Sequence, residues 1–385
     1  MAPPVPDIRI PSDLLPSDGR FGSGPSKVRQ ASVDALAAAA PTYLGTSHRA
    51  STVRSMVGRL RAGLTDLFRL PDGYEVALGN GGAALFWDMA TFGLIERKSQ
   101  HLAFGQFSAS FAAAAAAAPH LDQPEVISSD PGTHPELRPD PGIDAYALTH
   151  NETSTGVAMP VLRPPDAGGG LVLVDATSAA GGMRVDPAQF DAYYFAPQKC
   201  FASDGGLWLA LLSPAAVERV QRRKSSGRWT PAILDLSLAL ESSRLDQTYN
   251  TPGLATIFLM VEQVEWMLAG GGLDWAASRA EASAAELYPW AEKSDYATPF
   301  VADPGQRSPV VGTIDLDPTV EAGVVSAVLR ANGVVDTESY RRLGRNQLRI
   351  AMYPAVEASD VALLTRAIDF VVAELLSEPP LTGFS

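Results

Sequence analysis

From Arg54 to Phe68, apolar residues at Val57, Leu60, Leu64, Leu67 and Phe68 recur at helical spacing, and Leu70-Pro-Asp-Gly73 supplies a stop. The pattern therefore predicts a helix over 54–68, followed by a short strand from Tyr74 to Leu78. That strand runs into Gly79-Asn-Gly-Gly-Ala-Ala84 and a further helical pattern. Strand, glycine-rich turn and helix in this order form an architecture suited to anions. The alternation continues with strands near 101–104, 145–148, 171–174, 192–195 and 207–212, and a helix over 108–118. Leu171-Val-Leu-Val174 has no polar alternation, so it reads as a strand buried on both faces.

Repeated strands and helices predict an α/β fold, a sheet covered by helices on both faces. After a long apolar helix over 254–268, Gly270-Gly-Gly272 reads as a hinge to a second unit of helix, strand (310–316), helix and strand (347–352). The expected division is an N-terminal arm (1–20), a large domain (21–270), a small α+β domain (271–376) and a loosely attached tail (377–385). The chain has 385 residues, which fits two or three domains at about 100–200 residues each.

A net charge of −13 argues against a nucleic-acid partner, because phosphate backbones demand a basic surface. The Ala-rich run Phe111–Ala118 is far shorter than the roughly 20 residues that span a bilayer. Residues 1–20 are Pro-rich and lack the pattern of a signal peptide. One cysteine, Cys200, excludes an intrachain disulfide and fits a reducing compartment, so the cytoplasm is expected. No metal-ligand pattern is evident. An anionic substrate of so acidic a protein requires a local cluster of cations, which makes the basic residues informative. Only five are lysines, so Arg supplies the remaining 25 of the 30.

One of those lysines, Lys199, follows the apolar strand 192–195 and precedes Ser203-Asp-Gly-Gly206. Ligands of open α/β sheets lie beyond the carboxyl ends of strands. Three such ends carry polar strings: His150-Asn-Glu-Thr153, Asp175-Ala-Thr-Ser178 and Pro197-Gln-Lys199. Burial favours the neutral, nucleophilic form of a lysine. Asp175 lies 24 residues earlier, enough chain for one crossover in the same sheet. A carboxylate paired with a pyridinium nitrogen keeps that ring able to accept electrons. Lysine and aspartate together thus point to pyridoxal 5′-phosphate. Taken singly, each has a plainer role: a solvated charge for Lys199, a helix cap for Asp175.

Several strings in order resemble the phosphoserine aminotransferase family, in its actinobacterial branch. They are Phe21-Gly-Ser-Gly-Pro25, Gly45-Thr-Ser-His-Arg49, Gly79-Asn-Gly-Gly82, His150-Asn-Glu-Thr-Ser-Thr-Gly156, Val174-Asp-Ala-Thr-Ser178, Ala196-Pro-Gln-Lys199, Gln247-Thr-Tyr-Asn-Thr-Pro252 and Leu343-Gly-Arg-Asn-Gln-Leu-Arg349. The resemblance implies the fold type I of pyridoxal-phosphate-dependent transferases, with a large, mostly parallel sheet domain. It implies Lys199 as the covalent attachment point and proton shuttle, Asp175 at the pyridine nitrogen, Thr153 near the ring and Phe107 on its face. Phe104 competes for that last role. The cofactor phosphate is expected at the backbone of Ala83 and Ala84, at Gln198, and at Asn250 and Thr251 of a neighbouring subunit, hence a homodimer. For substrate it implies Arg49 and Arg349 as anion clamps, with Ser23 and His48 beside them. The implied reaction converts 3-phosphohydroxypyruvate and glutamate to O-phosphoserine and 2-oxoglutarate by a ping-pong cycle.

Two departures qualify the resemblance. Some members carry a phosphate-binding arginine in the glycine-rich turn where this chain has Ala84, which leaves Arg341, Arg342 or Arg345 to replace it. The residue after the lysine is commonly Asn and here is Cys200. Alternative functions are another class V aminotransferase, such as a serine or alanine–glyoxylate enzyme, and a non-catalytic pyridoxal-phosphate-binding protein. A cysteine desulfurase is disfavoured, since Cys200 beside the lysine is its one candidate nucleophile.

Overall fold

A computed structural model describes residues 5–165 and 167–377. The first part of the chain forms α1 (Gln30–Tyr43), α2 (Ser51–Leu67), β1 (Glu75–Asn80), α3 (Ala83–Gly93), β2 (Ser99–Ala103), α4 (Gln106–Ala117) and β3 (Glu125–Ser128). Next come β4 (Ala145–Thr149), the short pair β5 (Asn151–Glu152) and β6 (Val157–Ala158), β7 (Leu171–Asp175), β8 (Ala192–Phe195) and β9 (Leu207–Leu212). Helices α5 (Pro214–Ser225), α6 (Leu236–Arg244), α7 (Leu254–Gly270) and α8 (Leu273–Lys293) follow. The chain closes with β10 (Ala297–Pro299), β11 (Val311–Leu316), α9 (Ala322–Ala331), β12 (Gln347–Ala351) and α10 (Ala358–Ser377).

Seven strands form one sheet in the order β1-β9-β8-β7-β4-β2-β3. Strands β3, β2, β4, β7 and β8 pair parallel, whereas β9 runs antiparallel to both β8 and β1. The mostly parallel sheet is therefore the expected one, and the carboxyl ends of β1, β4, β7 and β8 all emerge at one edge. Side chains alternate between its two faces as the strand period of two requires. Val172, Val174, Tyr193 and Phe195 join the core formed with α1, α2 and α7. Their neighbours Leu171, Leu173, Ala192 and Tyr194 join the opposite core, formed with α3 to α6. Both sets are fully buried, which is why these strands lack polar positions.

A third core gathers around the antiparallel sheet β10-β11-β12 and helices α8, α9 and α10. Helix α8 begins in the first core with Leu273 and Ala276 and ends in this one with Leu287 and Ala291. The Gly270–Gly272 stretch is a corner that turns α7 into α8 by 92°. No single helix among the described residues is long and apolar enough to cross a membrane. The arm is no free extension within its described part. Ile8 and Ile10 are buried in the third core, the Ile10 amide donates to Asn332 Oδ1 at 3.0 Å, and Ser17 bonds Asp360 through amide and hydroxyl. Its apolar residues join a core built by strands and helices some 320 residues away in sequence. Of the tail, Ser377 ends α10, and 378–385 lie outside the described residues.

Ile10→Ala is expected to lower the unfolding free energy by about 2–5 kcal/mol, the usual cost of truncating a buried isoleucine. Urea unfolding monitored by circular dichroism measures it; a change near zero would mean that the arm contributes nothing to the core.

Candidate active site

The anion cradle is built by local geometry. Strand β1 ends at Asn80, and Gly81 turns the chain with φ +122°, a left-handed value that side chains rarely adopt. Its amide donates to Gly206 O at 2.9 Å, which ties the turn to the start of β9. Helix α3 then starts at Ala83 with no side chain capping it. Its first free amides, at Ala83 and Ala84, border a cavity of about 430 Å³ at the carboxyl edge of the sheet. Unpaired amides and the helix dipole make such a terminus favourable for a phosphate.

Asp175 is the last residue of β7, level with Thr149 of β4 and Tyr194 of β8. Its carboxylate oxygen Oδ1 accepts from the Thr177 amide at 3.0 Å and hydroxyl at 2.6 Å, and Oδ2 accepts from Trp87 Nε1 at 2.9 Å. Burial raises its pKa, while the Thr177 and Trp87 donors and the Lys199 cation act to lower it. Lys199 lines the same cavity, and its amine donates to the carbonyl of Ser23. The chain at Gly24 passes so close that a Cβ there would lie 2.1 Å from Lys199 Nζ, so a side chain at 24 would block the amine. Burial, reinforced by the nearby Arg349 cation, lowers the lysine pKa to about 8. The neutral, nucleophilic form is thus about a tenth of the population at pH 7, far more than for an ordinary lysine.

Phe107 lines the cavity, whereas Phe104 is buried in the first core against His134; the structure thus separates the two candidate stackers. Phe107 is placed by Glu152, a buried carboxylate at the amino end of α4 that accepts from the Phe107 amide at 3.1 Å and from the Ser108 amide and hydroxyl at 2.9 Å. Charge and helix dipole are matched there. Thr153 and Asn151 also line the cavity, and both donate to Ser178 Oγ at 2.8 Å. Cys200 points away from it: its thiol donates to Ser178 O at 3.3 Å, and burial among Val310, Val311 and Tyr353 raises its pKa. It fills space and is no nucleophile.

A second cavity of about 600 Å³ shares Trp87 and Phe107 with the first and is lined by Tyr340, Arg341, Arg342 and Arg349. Arg345 stands apart, bonded to Asp315 and lying 4.5 Å over the Phe300 ring. Of the three arginines left open by Ala84, two face the cavity. Ser23 is buried beside Lys199.

Four predicted residues are not brought to this site within one chain. His48 and Arg49 sit in the loop between α1 and α2, where Arg49 is exposed, and neither lines the cavities that hold Lys199 and Arg349. Exposed Asn250 and Thr251 precede α7, and Thr251 Oγ1 lies 3.2 Å from His48 Nδ1. The two loops form one surface edge because Asn80 Nδ2 also holds the Thr251 carbonyl at 2.7 Å. Conversely, Trp87, Thr149, Asn151 and Thr177 line the site without having been predicted. Trp87 follows Ala83 by one helical turn, and Asp175-Ala-Thr177 is an Asx-turn pattern, so both left a local signal.

The cavity fits the expected cofactor on its own terms. Ser23 Oγ, Asn151 Oδ1, Gln198 Oε1 and Arg349 Nε are buried without a hydrogen-bond partner among the described residues, a set that calls for a polar ligand. A large, mostly parallel sheet with lysine and aspartate at its carboxyl edge fits an aminotransferase, and the family model described as aminotransferase class V matches residues 136–363, which makes the chain a class V aminotransferase. A phosphoserine aminotransferase of Nocardioides sp. is 61% identical over 370 residues, which cover 96% of this chain and 99% of that one. That of Rhodococcus jostii is 57% identical over 95% of this chain and 98% of its own. A crystal structure of a phosphoserine aminotransferase from Cytophaga hutchinsonii superposes with a TM-score of 0.82 at 25% identity, over 91% of this chain and 99% of its own. The chain belongs to the phosphoserine aminotransferase family, and its cofactor is pyridoxal 5′-phosphate.

Because the neutral amine reacts, covalent capture of pyridoxal 5′-phosphate by the apoprotein is expected to accelerate with rising pH, half-maximal near pH 8. Stopped-flow absorbance measures it. Arg349→Met, which removes a cation, moves the midpoint upward, and Lys199→Ala abolishes capture; a rate constant flat between about pH 6.5 and 9.5 would contradict the assignment.

Proposed function

We propose that this aminotransferase is a phosphoserine transaminase, moving the amino group of glutamate to 3-phosphohydroxypyruvate to give O-phosphoserine and 2-oxoglutarate in a ping-pong cycle. The observation that carries the reading is the cavity with Arg341, Arg342 and Arg349 that opens beside Lys199. The names of its relatives agree with it. Arg349, half-buried beneath the Tyr340 ring, holds the substrate carboxylate, and Arg341 and Arg342 hold the phosphate in place of the arginine absent at Ala84. The four-carbon phosphorylated keto acid of pyridoxine biosynthesis presents the same two anionic ends. A glyoxylate enzyme needs no such trio of cations, and neither does a mere cofactor-binding protein, which has no anionic substrate to hold.

Lys199 would attach the cofactor and, once displaced by substrate, its amine would carry the proton between the substrate Cα and the cofactor carbon that bears the nitrogen. Asp175 would face the ring nitrogen, Phe107 would cover the ring and Thr153 would stand beside it, while Ala83, Ala84 and Gln198 would hold the cofactor phosphate. When bound, pyridoxal 5′-phosphate supplies the electron sink that makes the substrate Cα acidic.

A homodimer completes the site in this reading. Among the exposed large apolar residues, Leu44, Leu245 and Tyr249 lie within a few residues in sequence of His48, Arg49, Asn250 and Thr251. Exposed apolar side chains beside these polar ones suit a subunit interface. A second copy would bring Asn250 and Thr251 to the cofactor phosphate, and Arg49 with His48 to the substrate. The large and small domains meet within α8, and the arm belongs with the small one, whose core it shares. We place the enzyme in the cytoplasm, in keeping with its single cysteine, Cys200.

Arg342→Gln is expected to raise KM for 3-phosphohydroxypyruvate about 10–100-fold, the loss of one or two charge-assisted hydrogen bonds. The effect on glutamate, a weaker anion at that end, is smaller. Arg345→Gln leaves both unchanged. Steady-state kinetics decide, and equal rates with phosphorylated and unphosphorylated keto acids in the unmutated enzyme would sink the reading.

A further inference from the structure

The mechanism above gives Trp87 no part, yet it is the one side chain on α3 that reaches Asp175. It follows Ala83 by one helical turn, so the helix that presents amides to the cofactor phosphate also presents this indole to the opposite end of the cavity. We propose that Trp87 is the positioning residue for Asp175, its indole N–H holding one carboxylate oxygen so that the carboxylate faces the cofactor's ring nitrogen as an anion. The inference rests on the reading of Asp175 as the partner of that nitrogen.

The geometry divides the carboxylate between two elements. Thr177 donates twice to Oδ1 from the turn after β7, and Trp87 donates at 2.9 Å to Oδ2 from α3. Rotation about the carboxylate axis breaks bonds on both sides. Oδ2 accepts one bond from the indole and keeps a lone pair for a second donor, which is where a protonated ring nitrogen belongs. Indole is a donor only, so it stabilises the anion and cannot take part in a proton exchange with it. A hydroxyl or imidazole in the same place can also accept, and so can favour the neutral acid.

The need for such a donor comes from the surroundings. Asp175 is buried, and burial alone favours the uncharged acid, which cannot hold a proton on the ring nitrogen. The titratable groups near it are the Lys199 amine and the hydroxyls of Tyr193 and Tyr194. Tyr194 OH lies close to both Asp175 and Trp87 but makes no hydrogen bond of regular geometry, which leaves the indole as the donor to Oδ2. The indole itself is fixed: its ring stacks on Phe111 at 6.4 Å with planes 16° apart, and Phe111 lies one helical turn beyond Phe107 on α4. Wall-filling alone asks for an aromatic ring and is indifferent to the N–H.

The test uses the holoenzyme loaded with pyridoxal 5′-phosphate labelled with 15N in the ring, and reads the nitrogen chemical shift at fixed pH together with cofactor affinity by equilibrium dialysis. Trp87→Phe removes the donor. Replacement of Trp87 by benzothienylalanine, which keeps the bicyclic shape and lacks the N–H, guards against a folding defect. Both are expected to move the nitrogen resonance toward that of the unprotonated ring and to weaken cofactor binding about tenfold. They lower kcat more than they change KM for the keto acid, and Trp87→His, which restores a ring N–H, recovers part of the shift. Asp175→Asn provides the reference. If Asp175→Asn moves the resonance and the benzothienyl variant leaves it at the wild-type position, the inference on Trp87 is overturned and the reading of Asp175 stands. If Asp175→Asn also leaves it unmoved, the reading of Asp175 itself falls, and the inference with it.

Discussion

Two opposite charges, Lys199 and Asp175, are withdrawn from bulk water at the ends of adjacent parallel strands, and the rest of the site is arranged around the cost of doing so. The carboxylate is held by Thr177 and Trp87, and the amine is held by the Ser23 carbonyl. The segment at Gly24 lies against the lysine, and the arginine at 349 pushes its pKa down. Thr177 comes from the turn directly after β7, but the other supports arrive from the N-terminal segment, α3 and the small antiparallel sheet, which explains why so much of the chain must fold before the cavity has its chemistry.

The strands were the most legible part. Ala192–Phe195 and Leu207–Leu212 were read residue for residue, because a run buried on both faces leaves a continuous apolar signature. Strand β3, with alternate residues exposed at the sheet edge, and the two-residue strands β5 and β6 left no comparable signal. Helix α1 was also missed: six of its 14 residues are alanine and Pro41 lies inside it, so it has little periodicity to detect.

Within the site, legibility followed chemistry more than geometry. Lys199 stood out by scarcity and Asp175 by its place at a strand end. Glu152, buried as the anchor of α4, was hidden inside a motif read for its threonine. The ambiguity among Arg341, Arg342 and Arg345 had no solution in spacing, because Arg345 is removed by a partner, Asp315, 30 residues away in sequence. The meeting of His48 with Thr251 spans 203 residues, and one-dimensional spacing carries nothing about it.

The arm bears on how the protein is made. Ile8 and Ile10 leave the ribosome early, yet their partners around Asn332 and Asp360 are synthesised more than 300 residues later. At about 5–20 residues per second the interval is on the order of tens of seconds, during which the large sheet can complete itself and the arm cannot. Closure of the C-terminal core is thereby delayed until translation is nearly finished. Arg349, which belongs to that late core yet faces the lysine cavity, arrives last, so anion recognition is added to a cofactor cradle that already has its shape.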